Sequence, residues 1–172
     1  MRAAAALLLA ASGATAQPAV PEDGPALLDA RPLAMPVEGV RPQALHDTFA
    51  DGRAGGPHEA LDILAPRGTP VRAVDDGRLV KLFHSVPGGI TLYQFDPSGR
   101  LAYYYAHLDR YADGLREGMA LKRGDVVGYV GSTGNASPDA PHLHFAVFRL
   151  GQEQRWWQGT AINPYPALRR LP

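Results

Sequence analysis

Apolar residues in this chain fall in short runs, often at every second position, and turn residues interrupt them every eight to twelve positions. Residues 71–74, 78–83, 90–95, 101–107, 126–130 and 142–150 each predict a strand on this pattern. Asp75-Asp76-Gly77 is a hairpin signal between the first two runs, and Pro87-Gly88-Gly89 and Asp96-Pro97-Ser98-Gly99 mark the turns that follow. Residues 109–119 are charged and turn-like, with room for one short helical turn, and residues 131–141 form a loop rich in Gly, Asn, Ser and Pro. Many short strands at this spacing predict an all-β fold, a compact and mostly antiparallel sheet or sandwich. Before them, Pro18, Pro21, Pro25, Pro32, Pro36 and Pro42 forbid a regular helix or a central strand, so residues 17–46 read as an extended arm. The arm starts free and packs on the domain further along, with one helical turn allowed at residues 26–30.

Composition narrows the setting. Residues 3–11 are apolar and uncharged, and Ala14-Thr15-Ala16 supplies a small-x-small cleavage pattern. The first 16 residues therefore read as a signal peptide, too short to span a bilayer, and the protein as exported to the periplasm or the exterior. Residues 47–172 remain as one domain. The chain has no cysteine, so neither disulfides nor a thiolate metal site is available. Seventeen basic and 17 acidic residues cancel, which gives no electrostatic case for nucleic acid or an anionic membrane.

The chemistry is concentrated in histidines. His142 and His144 stand two apart on a predicted strand and share a face, while Leu143 and Phe145 point the other way into a core. His58 and Asp62 lie four apart, between Pro57 and Pro66-Arg67-Gly68, which leaves little room for a helix. A loop entering a short strand is expected there, with both side chains turned to one point. His107 is expected at the end of the tyrosine-rich strand, just before a Leu108-Asp109 turn. Taken singly, each histidine reads as a hydrogen-bonded structural residue; taken together they suggest a centre. Three N/O ligands plus water make a catalytic zinc site. His58, Asp62 and one member of the H-x-H pair could supply the three, leaving the other member and His107 to move protons.

These residues, in this order, resemble the M23 family of lysostaphin- and LytM-like zinc metallopeptidases. The resemblance covers roughly residues 49–168 and rests on His58-Glu59-Ala60-Leu61-Asp62, Ala65-Pro66-Arg67-Gly68-Thr69-Pro70-Val71, Tyr105-Ala106-His107-Leu108, Gly124-Asp125 through Gly134, and Pro141-His142-Leu143-His144-Phe145. It implies one Zn2+ per chain held by His58, Asp62 and His144, with His107 and His142 as the catalytic pair. The implied activity is endopeptidase cleavage of peptidoglycan peptides, by a monomer. Ala60 departs from the family pattern, where glycine is commoner.

Other features read more plainly. Glu59 suggests the H-E-x-x-H zinc helix, but Asp62 stands where the second histidine belongs, so Glu59 is given no role. Tyr103, Tyr104 and Tyr105 alternate between core and surface, with one free to line a groove, and at least one of Trp156 and Trp157 packs. Asn135, Ser137 and Asp139 read as a solvated loop, with a groove wall over the substrate as the alternative, and His46 and His84 as surface residues. A catalytically inactive M23-like domain that binds wall or activates another hydrolase is the competing reading. A carrier domain is the weaker one, because neither Lys81 nor Lys122 sits at the hairpin tip that lipoyl or biotinyl attachment requires.

Overall fold

The computed structural model describes residues 23–53 and 55–172, so the expected signal peptide lies outside the described residues. Eleven strands follow in chain order: β1 (Gly52–Arg53), β2 (Gly56–Pro57), β3 (Leu61–Leu64), β4 (Pro70–Arg72), β5 (Gly77–Ser85), β6 (Gly89–Phe95), β7 (Leu101–Tyr111), β8 (Ala120–Leu121), β9 (Val126–Val130), β10 (His142–Leu150) and β11 (Gly159–Ile162). Two short helices, α1 (Gly24–Asp29) and α2 (Tyr165–Arg169), flank them. β1 and β2 form their own ribbon, and the other nine strands make one sheet. All pairings are antiparallel, as the alternating pattern predicts.

β10 organises the sheet. Leu143, Phe145 and Val147 are buried on one face, and His142 and His144 are half-buried on the other. One edge of β10 pairs with β7. The other edge pairs first with β3, from His142 to Phe145, and then with β11, from Val147 to Leu150. Because β3 lies beside the first half of β10, Asp62 stands directly opposite His144.

β7 differs from its sequence pattern. It does not end at His107 but runs on to Tyr111, and the charged stretch after it holds no helix. Tyr103 and Tyr105 are buried, so strict alternation would turn His107 into the core as well. Instead the next residue of the apolar core cluster after Tyr105 is Leu108, three residues on. On β6, Leu92 faces Tyr105 and Ile90 faces Leu108, so β7 spends one residue more than its partner over this stretch. His107 takes φ 59° at this bulge, and its ring, although buried, packs beside His142 and His144 instead of joining the apolar core cluster. Gly88 O accepts its amide at 2.9 Å, which fixes the kink. Past the bulge, β7 changes partner from β10 to β9.

The predicted hairpin at Asp75-Asp76-Gly77 does not form. β4 pairs with β9, and β5 pairs with β6 and β8. Asp75 is not a solvated turn residue but a buried anchor, accepting from Arg31 Nε at 2.6 Å, Arg31 Nη2 at 3.1 Å and the Tyr103 hydroxyl at 2.9 Å. Gly77 fits because a Cβ there would lie 2.0 Å from Phe95 O.

The Pro-rich arm is tied to the domain over residues 23–46. Asp23 caps α1 by accepting the Ala26 amide at 2.8 Å, and Leu27, Leu28, Leu33, Val37 and Leu45 all enter the core with β-strand residues such as Val71 and Leu143. Val37 also bridges Val71. The described helical turn therefore starts two residues before the predicted one.

Candidate metal centre and catalytic groove

His58 and Asp62 come from a loop and a strand rather than a helix. The His58 amide donates to Asp51 O at 2.9 Å and the Glu59 amide to Phe49 O at 2.8 Å. Glu59 then takes the left-handed φ of 57°, which turns the chain into β3 and leaves its own side chain exposed. Thr48 stands behind both candidate ligands. Its carbonyl lies 3.0 Å from His58 Nδ1, and its Oγ1 accepts the Asp62 amide at 3.1 Å while donating to Ala60 O at 3.1 Å.

Three electron-pair donors converge. His58 Nε2 is 3.1 Å from Asp62 Oδ1 and 3.1 Å from His144 Nδ1, and His144 Nδ1 is 3.3 Å from Asp62 Oδ1. A carbonyl can only accept, so the contact with Thr48 O puts the His58 proton on Nδ1. In the neutral ring Nε2 is then a bare lone pair aimed at the other two atoms. Asp62 Oδ1 is buried and has no hydrogen-bond partner despite these neighbours. An orphaned carboxylate oxygen among imidazole nitrogens is costly unless a cation sits between them. The spacing fits that reading, since a tetrahedral site with bonds of about 2.0–2.1 Å holds its ligand atoms about 3.3 Å apart. Among the described residues, His58, Asp62 and His144 are the grouping of His, Asp or Glu placed to hold a metal.

Asp62 Oδ2 is accounted for separately. Arg53, on the β1–β2 ribbon, donates to it at 2.8 Å. The guanidinium thus holds one carboxylate oxygen and leaves the other facing the centre. Burial alone would raise the Asp62 carboxyl. The close approach of His144, with the imidazoles of His58 and His142, outweighs it and holds the group below its usual range.

His142 and His107 flank the centre. His142 Nε2 is 3.6 Å from Asp62 Oδ1, and the His107 and His142 rings lie 5.0 Å apart. Each ring is oriented by a backbone carbonyl: His142 Nδ1 meets Ala140 O at 2.9 Å, and His107 Nδ1 meets Thr133 O at 2.8 Å. By the same tautomer argument both present a bare Nε2 when neutral. Burial pushes His107 down to about 4, and the nearby His144 and His142 rings add to the effect. His58 is lowered too, chiefly by burial.

The cleft over these residues is bounded by Arg53, Tyr104, Pro87, Gly88 and the loop at Asn135 to Ser137. The β5–β6 turn and that loop are bonded to each other, Asn135 N donating to Pro87 O at 3.1 Å. Gly89, at φ 65°, lets them close up, because a Cβ there would meet Thr133 Oγ1 at 2.2 Å. Asn135 and Ser137 are exposed, as a solvated loop would be, and also line the cleft, whereas Asp139 does not. Tyr104 lines it as well, and His46 and His84 are exposed and not part of its lining. Sequence reasoning missed Arg53 and Thr48. Neither belongs to a spacing pattern with the histidines, and only the glycine-rich stretch around Arg53 marked a turn toward His58.

The fold and this cluster together define a class: an antiparallel β protein with a two-histidine, one-carboxylate cluster in a groove, a donor set of the kind zinc peptidases use. Residues 56–164 match the sequence profile of peptidase family M23, and the chain belongs to that family. It is 32% identical over 130 residues to the L-Ala--D-Glu endopeptidase of Bacillus subtilis, covering 71% of this chain and 38% of that protein. It is 32% identical over 119 residues to lysostaphin of Staphylococcus simulans, covering 69% of this chain and 22% of that protein. The chain spans well under half the length of these curated relatives. Among solved structures, the catalytic domain of lysostaphin from Staphylococcus simulans aligns with a TM-score of 0.59 at 28% identity, covering 86% of this chain and 99% of that one. A putative glycyl-glycine endopeptidase lytM from Ruminococcus gnavus aligns with a TM-score of 0.63 at 31% identity, over 73% of this chain and 53% of that one.

Proposed function

We propose that this chain is a metal-dependent endopeptidase that hydrolyses peptide bonds in peptidoglycan, working as an exported monomer on the wall side of the membrane. The observation that carries the reading is the convergence of His58 Nε2, Asp62 Oδ1 and His144 Nδ1 around an otherwise unpartnered oxygen. Those three residues would hold one Zn2+, which supplies Lewis acidity at the scissile carbonyl and a nucleophile at neutral pH. His107 and His142 line the same cleft, and in this reading each accepts a proton at Nε2 and returns it to the leaving amine. As imidazolium, either can also donate to a carbonyl oxygen that gains negative charge. Thr48 and Arg53 keep the donors aligned, and the Asn135 to Ser137 wall confines an extended peptide over them. Family membership and the named endopeptidases among its relatives support the reaction class. Among the described residues no helix is long and apolar enough to cross a membrane. Residues 1–16 would be removed on export, leaving the arm and the domain of residues 47–172.

The test is a digest of purified peptidoglycan by the mature protein, with mass analysis of the released muropeptides and metal analysis of the same sample. Release of peptides that stops on chelation and returns with zinc supports the proposal and identifies the bond. Bound metal with no released peptide would instead make the chain a non-hydrolytic wall-binding relative.

A further inference from the structure

A line of aromatic rings leads away from the candidate centre along the groove face of the sheet. It begins at Tyr104, whose ring lies 5.9 Å from that of His144. Tyr93, the cross-strand partner of Tyr104 on β6, follows at 4.6 Å. Trp156 lies 5.0 Å from Tyr93, and Phe83 and Trp157 lie 5.4 and 5.3 Å from Trp156. The far end is open: Trp157 is 63% exposed and Phe83 40%. Rings inside the strip support one another, so Trp156 packs, but the outer two present apolar surface to solvent that no described residue covers.

The segment that carries the tryptophans says what the surface suits. Residues 151–158, between β10 and β11, read Gly-Gln-Glu-Gln-Arg-Trp-Trp-Gln. It contains no aliphatic residue, and its Glu153 and Arg155 pair with each other. A lipid surface would call for several unpaired Lys or Arg around the aromatics, and an apolar helix for a stripe of Leu, Ile or Val. Aromatic faces mixed with exposed planar amides, Gln152 and Gln158, suit a ligand that is apolar on its faces and rich in hydroxyls and amides at its rim. A β-1,4-linked N-acetylhexosamine has that shape, with its axial C–H bonds on the faces and its polar groups equatorial.

We infer that the strip from Tyr104 to Trp157 is a glycan-binding subsite, which seats sugar rings of the strand to which the cleaved peptide is attached. The inference rests on the proposed peptidoglycan reading and adds to it the part of the substrate that the catalytic groove itself does not contact. Continuity supports it, since the strip starts in the groove wall and leaves it without a gap wider than one ring contact.

The protein's two tryptophans both lie in the strip, so their emission reports on this surface and nothing else. The full chain is titrated with a β-1,4-linked N-acetylglucosamine hexamer. A saturable change in emission is expected, and Trp157→Ala weakens the hexamer about tenfold, the effect of removing one stacked aromatic face. Trp157→Phe restores most of it. Trp157→Ala also slows hydrolysis of intact sacculi while leaving the rate on a free stem peptide unchanged. Emission that does not respond to the hexamer, or that responds to the free peptide instead, overturns the inference, as does an equal loss on both substrates. If the unaltered chain cleaves neither substrate, the proposed function fails, and the titration still decides whether the strip binds glycan.

Discussion

Thr48→Val separates the support of the centre from the centre itself. The substitution keeps the size and branching of the side chain and removes only Oγ1. That atom accepts the Asp62 amide at 3.1 Å and donates to Ala60 O at 3.1 Å, so two hydrogen bonds are lost and one N–H behind a candidate ligand is left without a partner. Each net bond contributes about 1 kcal/mol, and an unpaired buried group costs about 1–3 kcal/mol. Because Thr48 is only half-buried, water offsets part of this, and a loss of about 2 kcal/mol in the metal-free protein is expected. The carbonyl that orients His58 is untouched, so His58 stays in place and Asp62 loosens. Loss of such an outer partner typically lowers metal affinity about 10–100-fold. Urea unfolding measures the first effect, and competition for zinc with a chromophoric chelator measures the second, with Thr48→Ser as the control that retains a hydroxyl. Unchanged zinc affinity in a Thr48→Val protein that has lost stability would refute the reasoning, because it would show the loop holding Asp62 without this bond.

Three other predictions follow from separate parts of the molecule. Arg31→Ala leaves the buried Asp75 carboxylate with the Tyr103 hydroxyl and the Asp76 amide but no cation, and Arg31 is itself about a quarter exposed, so a loss of about 2–4 kcal/mol is expected in urea unfolding. His142→Ala keeps the metal and lowers turnover about 100- to 1000-fold, whereas Asp62→Ala loses the metal as well; metal analysis beside a peptide assay separates the two. In the metal-free protein the depressed His107 favours the neutral form when folded, while the unfolded chain takes up a proton near pH 6.5. Stability is therefore fully present above that value and falls as the pH drops toward about 4, and His107→Leu flattens this fall in urea midpoints measured across the range.

The sequence made some of this legible for identifiable reasons. Alternation on β10 is local, so His142 and His144 on one face and Leu143 and Phe145 in the core could be read from five consecutive residues. The antiparallel all-β class followed from the same periodicity. His107 could be nominated but not located, because a bulge adds one residue to β7 without changing its composition. The false hairpin at Asp75-Asp76-Gly77 has a non-local cause: Arg31, 44 positions earlier, draws Asp75 into the interior. Arg53 and Thr48 were invisible for the same reason, since their importance lies in contacts with Asp62 and His58 across loops whose path no short-range pattern dictates.

A zinc-edge anomalous difference map from crystals of the zinc-loaded protein tests the central claim most directly. The account predicts one strong peak, bonded at about 2.0–2.1 Å to His58 Nε2, Asp62 Oδ1 and His144 Nδ1. Zinc bound only at other side chains, with Asp62 Oδ1 still unpartnered, would contradict it.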